Sequence, residues 1–270
     1  MYERKRMRGA VAVLAFVAVA GGVAAAEDDS AELAKKLQNP VASLISVPFQ
    51  NNFEWGAGRS SDGFKYTLNV QPVIPISLGQ HWNLISRTIV PISHQDDLVP
   101  HTTQFGLGDI MQSLFFSPAV PGPNGWIWGA GPVVLLPTAT EHFLGGEKWG
   151  AGPTAVVLRQ EHGLTYGILA NHIWSLAGTD HTPNVNSTFL QPFLAYTTKT
   201  YTTFSLVTES TYDWGEDKWT VPLIATVSQL LKVKDTPIQL QLGPKWYAEG
   251  PTKAPDWGIR FALFLLFPRH

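Results

Sequence analysis

The fold is decided by stretches in which apolar and polar residues alternate, and the clearest of them is Phe64-Lys65-Tyr66-Thr67-Leu68-Asn69-Val70-Gln71. Every even-numbered position in it is apolar and every odd-numbered position is polar. Because successive side chains of a β-strand point to opposite faces, this pattern predicts a strand with one apolar and one polar face. Residues 238–246 and 257–267 have the same period of two. The chain is therefore predicted to be built from amphipathic strands.

Twelve such strands fit along the chain, and they are long. Strands of soluble proteins usually have about five or six residues, whereas a tilted strand needs about 9–11 residues to cross a bilayer. The predicted fold class is therefore all-β, a transmembrane antiparallel β-barrel of about 12 strands with a short N-terminal helical segment. A soluble β-sandwich is the alternative. The predicted strands span residues 43–54, 64–77, 82–93, 105–117, 125–137, 149–161, 164–176, 187–198, 200–212, 219–231, 237–248 and 257–267.

Loop lengths and aromatic residues also favour a barrel in the outer membrane. Longer and shorter connections alternate along the chain, as expected where short periplasmic turns alternate with longer external loops. Aromatic residues cluster near the predicted strand ends, which is typical of the girdles at the two membrane interfaces. A periplasmic N-terminus places the longer loops outside the cell and both chain ends in the periplasm.

The composition excludes several other classes. The 270 residues carry a net charge of −2, only 15% are charged and none is Cys. A polybasic nucleic-acid binder, a disulfide scaffold and a thiolate metal site are therefore excluded. No phosphate-cradling loop with a following Lys-Ser or Lys-Thr occurs, so no nucleotide is expected and no cofactor is predicted.

The N-terminus has the pattern of a secretory signal peptide. Arg4, Lys5, Arg6 and Arg8 precede an apolar stretch, and Ala24-Ala25-Ala26 is a small-residue cleavage site. A single membrane anchor is the alternative. The predicted division is a signal peptide at 1–26, a periplasmic segment at 27–40 and an outer-membrane barrel at 41–270.

One predicted strand does not alternate. Residues 126–136 are apolar on both faces, so their inner face must meet something other than water. An apolar lumen wall is one explanation. Another is that Ser30 to Leu37, which forms an N-capped amphipathic helical turn or two, folds into the barrel as a plug.

Several stretches together resemble a known group of outer-membrane barrel proteins. They are residues 31–40, Asn69-Val70-Gln71-Pro72-Val73-Ile74-Pro75, Phe105-Gly106-Leu107-Gly108-Asp109 and the Phe-Pro ending. With them the chain resembles the family named for the MetA pathway of phenol degradation, whose bacterial members are sometimes labelled neuromedin U. The resemblance implies an outer-membrane location and a transport role, and it brings no catalytic residues. Barrel assembly signals usually end on a terminal aromatic residue, whereas here Phe267 is followed by Pro268, Arg269 and His270.

The polar face of the strands gives candidate lumen-lining residues. Four cations fall on neighbouring strands once the last strand closes onto the first, and a cationic wall in a narrow lumen attracts anions. An equally good interpretation is that the cations pair with inward carboxylates and fill a closed lumen. The candidates are Lys65, Arg87, Lys245, Arg260, Glu54, Asp109 and Glu209.

Metal binding and catalysis are weaker interpretations. Three predicted external loops place a carboxylate near an imidazole, but the spacing is not diagnostic, so no metal site is predicted. Some outer-membrane barrels hydrolyse lipids with Ser, His and an orienting polar residue. The nearest candidates here are Asn171, His172 and Ser175, and adjacent strand residues point to opposite faces. The chain is therefore predicted not to be an enzyme, and no catalytic residue is assigned.

The predicted function is a channel in the outer membrane of a Gram-negative bacterium. Small solutes, anionic or aromatic ones in particular, would pass by diffusion. A closed structural or surface-interaction barrel is the first alternative, and a channel for hydrophobic compounds is the second. The expected partners are outer-membrane lipid, a small solute and the barrel assembly machinery, with no nucleic acid, and the oligomeric state is left open.

Overall fold

A computed structural model describes residues 25–58, 61–98, 102–234, 236–251 and 254–268. The predicted signal peptide therefore lies outside the described residues except at its last two positions. No helix in these ranges is long and apolar enough to cross a membrane. The elements are α1 (Ala25–Leu37), β1 (Ile45–Ala57), β2 (Gly63–Val70), β3 (Val73–Leu78), β4 (Trp82–Asp96), β5 (Thr103–Leu107), β6 (Ile110–Pro118), β7 (Trp126–Leu136), β8 (Lys148–Glu161), β9 (Leu164–Gly178), β10 (Asn186–Thr197), β11 (Thr202–Thr208), β12 (Ser210–Asp213), β13 (Lys218–Val233), β14 (Thr236–Glu249) and β15 (Trp257–Phe267).

The strands form a closed antiparallel barrel of twelve strands, as the alternation predicts. Each of the twelve barrel strands pairs with the one before it and the one after it in the chain, and β15 pairs with β1 from Ile45 opposite Phe267 to Trp55 opposite Trp257. This last pairing closes the sheet and leaves no free edge. One end of the barrel carries Ile45 and Phe267, and we call it the terminal end. The opposite end, which we call the loop end, carries the long connection at residues 137–147.

Three of the predicted strands are interrupted. The pairs β2 and β3, β5 and β6, and β11 and β12 each occupy one place in the barrel and are separated by one or two residues that leave the ladder. Pro72, which has no backbone N–H to donate, lies in the first break. The other predicted strands agree with the observed ones to within a few residues at their ends.

The outer face of the barrel is apolar and has aromatic residues near both ends. Trp55 and Trp257 stack at the loop end with their ring centroids 4.7 Å apart, and Trp82 contacts Trp128 edge-on at 5.9 Å near the terminal end. Between the two ends, exposed side chains such as Leu206 and Phe261 cover the outer surface. An exposed apolar band between aromatic girdles is the surface that a bilayer covers.

The N-terminal segment contacts the inner wall of the barrel at the terminal end. Ala34 of α1, Ala42 and Leu44 are buried against Leu230 and Leu266, both of which point inward. Val41 is buried deeper among inward residues of β4, β6, β8 and β9, namely Ile85, Phe115, Val156, Leu158 and Leu169. Two hydrogen bonds fix the position of the N-terminal segment. Gln160 Nε2 donates to the carbonyl of Lys35 at 2.8 Å, and Asn83 Nδ2 donates to Ser43 Oγ at 3.3 Å.

Candidate functional site in the barrel lumen

Charged side chains project from five neighbouring strands into the lumen, and the first group surrounds Glu54. Lys245 Nζ lies 2.6 Å from Glu54 Oε1, and the Tyr247 hydroxyl donates to the same oxygen at 2.5 Å. Lys65, directly opposite Glu54 in the β1–β2 ladder, interacts with it electrostatically. Glu54 and Lys245 are 4% and 9% exposed, so water screens their attraction little.

The second group is a two-point ion pair between Arg260 and Glu209. Arg260 Nη1 lies 2.8 Å from Glu209 Oε1, and Nη2 lies 2.7 Å from Oε2. The remaining nitrogen, Nε, donates to Asn52 Oδ1 at 2.8 Å. The planar guanidinium group matches a carboxylate at two points, which is the strongest form of this contact. All three nitrogens of Arg260 are thus engaged.

The third group contains Arg87 and two glutamines. Arg87 Nη2 donates to Gln71 Oε1 at 3.0 Å, and Gln71 Nε2 donates to Gln50 Oε1 at 3.0 Å. In the described part of the chain, no carboxylate lies within 4.0 Å of Arg87, although Glu209 is near enough to act on it electrostatically. Arg87 is thus a cation held by neutral groups.

These groups adjoin one another because their strands do. The order β14-β15-β1-β2-β4 places Lys245, Arg260, Lys65 and Arg87 on one arc of the wall, as the alternation predicts. Two of the four cations are paired with carboxylates, Lys245 with Glu54 and Arg260 with Glu209. Four cations and two carboxylates leave this network with a net positive charge.

Asp109 has a different setting from the other predicted lumen residues. Its Oδ1 accepts from the backbone N–H of Ala139 at 3.1 Å, and its Oδ2 accepts from that of Gly146 at 2.7 Å. Asp109 therefore anchors the long connection 137–147 at the loop end. Gly106 and Gly108 belong to this arrangement, because a Cβ on Gly106 would collide with Thr140 of that connection and a Cβ on Gly108 would be crowded by the carbonyl of Leu144. The Gly-Leu-Gly-Asp motif thus has a structural explanation.

The neutral members of the network are absent from the set predicted from sequence. Gln50 and Asn52 precede Glu54 at intervals of two, and Tyr247 follows Lys245 by two, so all of them share the inward face. The alternation that identified the ionisable residues also points to these. Gln71 differs, since it lies in the break between β2 and β3, where alternation gives no orientation.

The opposite part of the lumen wall is apolar. Phe115, Val133, Val156, Leu158 and Leu169 point inward from β6, β7, β8 and β9, and all are at most 3% exposed. Val41 of the N-terminal segment packs against four of them. The lumen wall here is apolar, and the N-terminal segment contacts it.

One histidine at the loop end pairs with a carboxylate. His142 Nδ1 lies 2.9 Å from Glu147 Oε1, and Thr179 Oγ1 donates to Glu147 Oε2 at 3.0 Å. These hydrogen bonds, that from His142 foremost, lower the pKa of the Glu147 carboxyl below its ordinary value. Within the described ranges, no group of three or more His, Asp or Glu residues is arranged to hold a metal ion. His101, one of the residues considered from sequence, lies outside those ranges.

The three residues considered for lipid hydrolysis lie on two faces of β9. Asn171 is buried on the inner face, and Ser175, four positions further along the strand, lies on the same face. His172 lies on the outer face, where Nδ1 is 2.7 Å from Thr188 Oγ1 and the ring is 4.0 Å from that of Trp174. The fold therefore does not bring these three together.

Comparisons with known proteins identify the fold. No family model matches the chain, and no curated protein matches it. An outer membrane channel from Pseudomonas putida F1 has a similar structure, with a TM-score of 0.64 and 14% sequence identity over 83% of this chain and 94% of that one. Outer membrane phospholipase A from Escherichia coli gives a TM-score of 0.46 at 12% identity, over 86% of this chain and 97% of that one.

The chain is thus an outer-membrane type β-barrel, a fold that it shares with a channel. The fold supports the outer membrane as its location. The finer resemblance to the MetA-pathway family, with its neuromedin label, stays a prediction, since no family model matches.

The prediction that the chain is not an enzyme needs correction. Because outer membrane phospholipase A is among the structures that resemble this barrel, the fold does not allow enzymes to be excluded. A TM-score of 0.46 at 12% identity gives no argument for lipid hydrolysis either.

Proposed function

We propose that the protein is a narrow outer-membrane channel through which small solutes diffuse, with a preference for anions. The observation that carries the proposal is the cation-rich network of Lys65, Arg87, Lys245 and Arg260 with only Glu54 and Glu209 as counter-charges. A polar lumen with excess positive charge raises the local concentration of anions and lowers that of cations. A twelve-stranded barrel is narrower than a porin of 16–18 strands, so the solutes are small.

The test is single-channel conductance of the refolded mature chain in a planar bilayer under a salt gradient. We expect small discrete steps with a reversal potential on the anion side. Arg87→Glu should move the reversal potential toward cations, because it reverses the charge of a lumen cation that forms no ion pair with a carboxylate. Arg159→Glu is the matched control, since Arg159 pairs with Glu161 on the outer face at the terminal end. An unchanged reversal potential in Arg87→Glu would contradict the anion preference.

A closed barrel is the second candidate, and the N-terminal segment is the observation that favours it. Residues 34–44 fill part of the lumen at the terminal end and are held there by apolar contacts and two hydrogen bonds. We propose that this segment is a plug that restricts the channel. Deletion of residues 27–38 should then raise the conductance. A deletion variant that folds and stays silent would favour a structural or surface-interaction barrel.

A channel for hydrophobic compounds is the third candidate. The apolar wall formed by Phe115, Val133, Val156, Leu158 and Leu169 supports it. Uptake of uncharged aromatic compounds by cells with and without the protein tests it, and equal uptake would argue against it. In each case we propose export through a cleaved signal peptide at 1–26 and assembly by the barrel assembly machinery.

A further inference from the structure

We infer that the lumen holds a binding site for a small aromatic monocarboxylate, with Arg87 binding the carboxylate and Phe193 and its apolar neighbours contacting the ring. The inference deepens the proposed channel function and rests on it. It starts from a cavity of about 220 Å³ that lies between the N-terminal segment and the charged network. Arg87, Phe193 and Gln71 are among the residues that line it.

Arg87 is the cation in this cavity that is free to bind an anion. Of its five N–H donors, one is used in a hydrogen bond to a described side chain, that of Gln71. Gln71 is itself held by Gln50, so the guanidinium group is oriented before any solute arrives. A preorganised guanidinium group with unused donors is suited to a two-point contact with a carboxylate.

The other cations that line the cavity are already engaged. Arg260 uses all three nitrogens on Glu209 and Asn52. Lys36, on the N-terminal segment, forms an ion pair with Glu32 at 2.6 Å. Among the cations that line the cavity, Arg87 therefore has the most unused donors for a negative charge on the solute, and a second charge would be repelled by Glu209, which also lines the cavity.

Part of the remaining wall is apolar, and part is lined by glutamine and serine side chains. Val73, Phe193, Val207 and Phe264 line the same cavity, and Val73 and Phe193 also pack against the apolar cluster around Val41. Val73 is directly opposite Arg87 in the β3–β4 ladder, so an apolar surface begins next to the cation. An aromatic ring offers both apolar area and a flat shape for contact with Phe193.

The size of the cavity limits the solute. A cavity of about 220 Å³ is larger than the roughly 150 Å³ cavity that is known to take up benzene, so it accommodates a single ring with one carboxylate. Charge, apolar wall and volume together point to a benzoate-like solute.

The first experiment needs only the wild-type mature chain in detergent, titrated calorimetrically with three probes. Benzoate should bind saturably. Benzamide, which has the same ring and nearly the same size but no charge, should bind at least tenfold more weakly. Terephthalate, which adds a second carboxylate, should also bind more weakly than benzoate. No saturable binding of benzoate, or equal binding of benzamide, would overturn the inference, and tighter binding of terephthalate would overturn the monocarboxylate class.

Variants then locate the site. Arg87→Gln should raise the Kd for benzoate at least tenfold, and Arg87→Lys should give an intermediate value because the charge is kept and the two-point contact is lost. Arg159→Gln, a matched change outside the cavity, should leave the Kd unchanged. Binding that survives Arg87→Gln would place the site elsewhere and overturn the assignment.

The bilayer measurement separates this inference from the proposed function. An anion-selective channel that binds no benzoate would keep the function and reject the site. A chain that binds benzoate through Arg87 but conducts no ions would keep the site and reject the open channel.

Discussion

Arg260 and Glu209 meet at two points, Nη1 with Oε1 at 2.8 Å and Nη2 with Oε2 at 2.7 Å, and Glu209 is the one residue between β11 and β12. The same relationship recurs at Arg87, whose partner Gln71 lies in the break between β2 and β3. In both cases a residue outside the ladder binds an arginine that projects from an unbroken strand. The two breaks are therefore part of the lumen network.

Loss of the Glu209 carboxylate should destabilise the barrel and increase its anion preference. Arg260 is only 4% exposed, and removing one partner of a buried ion pair leaves an uncompensated charge. Since Glu209 is itself 22% exposed, we expect Glu209→Gln to cost about 2–4 kcal/mol, below the full penalty for a wholly buried pair. The temperature at which the folded barrel changes its mobility on an SDS gel measures the first effect, and the reversal potential measures the second.

Glu161→Gln is the control for this prediction. Glu161 pairs with Arg159 at 2.7 Å, but both side chains are about one-third exposed. Such a pair contributes less than about 1 kcal/mol, so the control should melt close to the wild type. If Glu209→Gln melts at the same temperature as Glu161→Gln, the Arg260–Glu209 pair does not stabilise the barrel.

Alternation alone predicts the strands and the inward face wherever a strand is unbroken. Glu54, Arg87, Lys245 and Arg260 lie on such strands, and their inward orientation follows from a period of two. A break removes this information, because the residues in it have no fixed face. Across the break at Gly108 and Asp109, the inward-facing positions change from even-numbered to odd-numbered. Gln104 is buried on the inner face of β5, whereas Ser113 and Phe115 are buried on the inner face of β6.

Contacts between distant parts of the chain are the part of the site that the sequence does not predict. Lys245 and Glu54 are 191 positions apart, and only closure of the barrel brings them together. The position of Val41 among Ile85, Phe115 and Leu169 likewise depends on how the N-terminal segment enters the lumen. The two-sided apolar stretch at 126–136 indicates that something covers it, but not what.

The Asp109 carboxylate should hold the long connection 137–147 in place. Asp109→Asn replaces one acceptor oxygen with an NH2 group, which would face a backbone N–H of Ala139 or Gly146 and repel it. Loss of a charge-assisted hydrogen bond costs about 1.5–3 kcal/mol, so local opening should become at least tenfold more frequent. Hydrogen exchange of the two amides measures this opening. Asp180→Asn, in another connection at the loop end, should leave their exchange unchanged, and equal exchange in both variants would show that Asp109 is not the anchor.

A disulfide between Val41→Cys and Gly129→Cys should lock the N-terminal segment inside the barrel. A Cβ built on Gly129 lies 3.1 Å from Cγ1 of Val41, close to the separation of about 3 Å between a Cβ and the opposite sulfur of a disulfide. The chain has no Cys of its own, so no other thiol competes. If the segment must leave the lumen for full conductance, the oxidised double variant should conduct less than the wild type, and a reductant should restore the current.

Single variants separate the lock from the substitutions themselves. Val41→Cys alone removes two methyl groups from the apolar cluster and cannot form the cross-link, and Gly129→Cys alone tests the tight fit against Phe115 and Ser117. Neither should respond to the reductant. If the oxidised and reduced double variant conduct equally while a gel shift shows that the disulfide has formed, the segment does not restrict the channel. Solutes would then have to pass beside Val41 with the segment still in place.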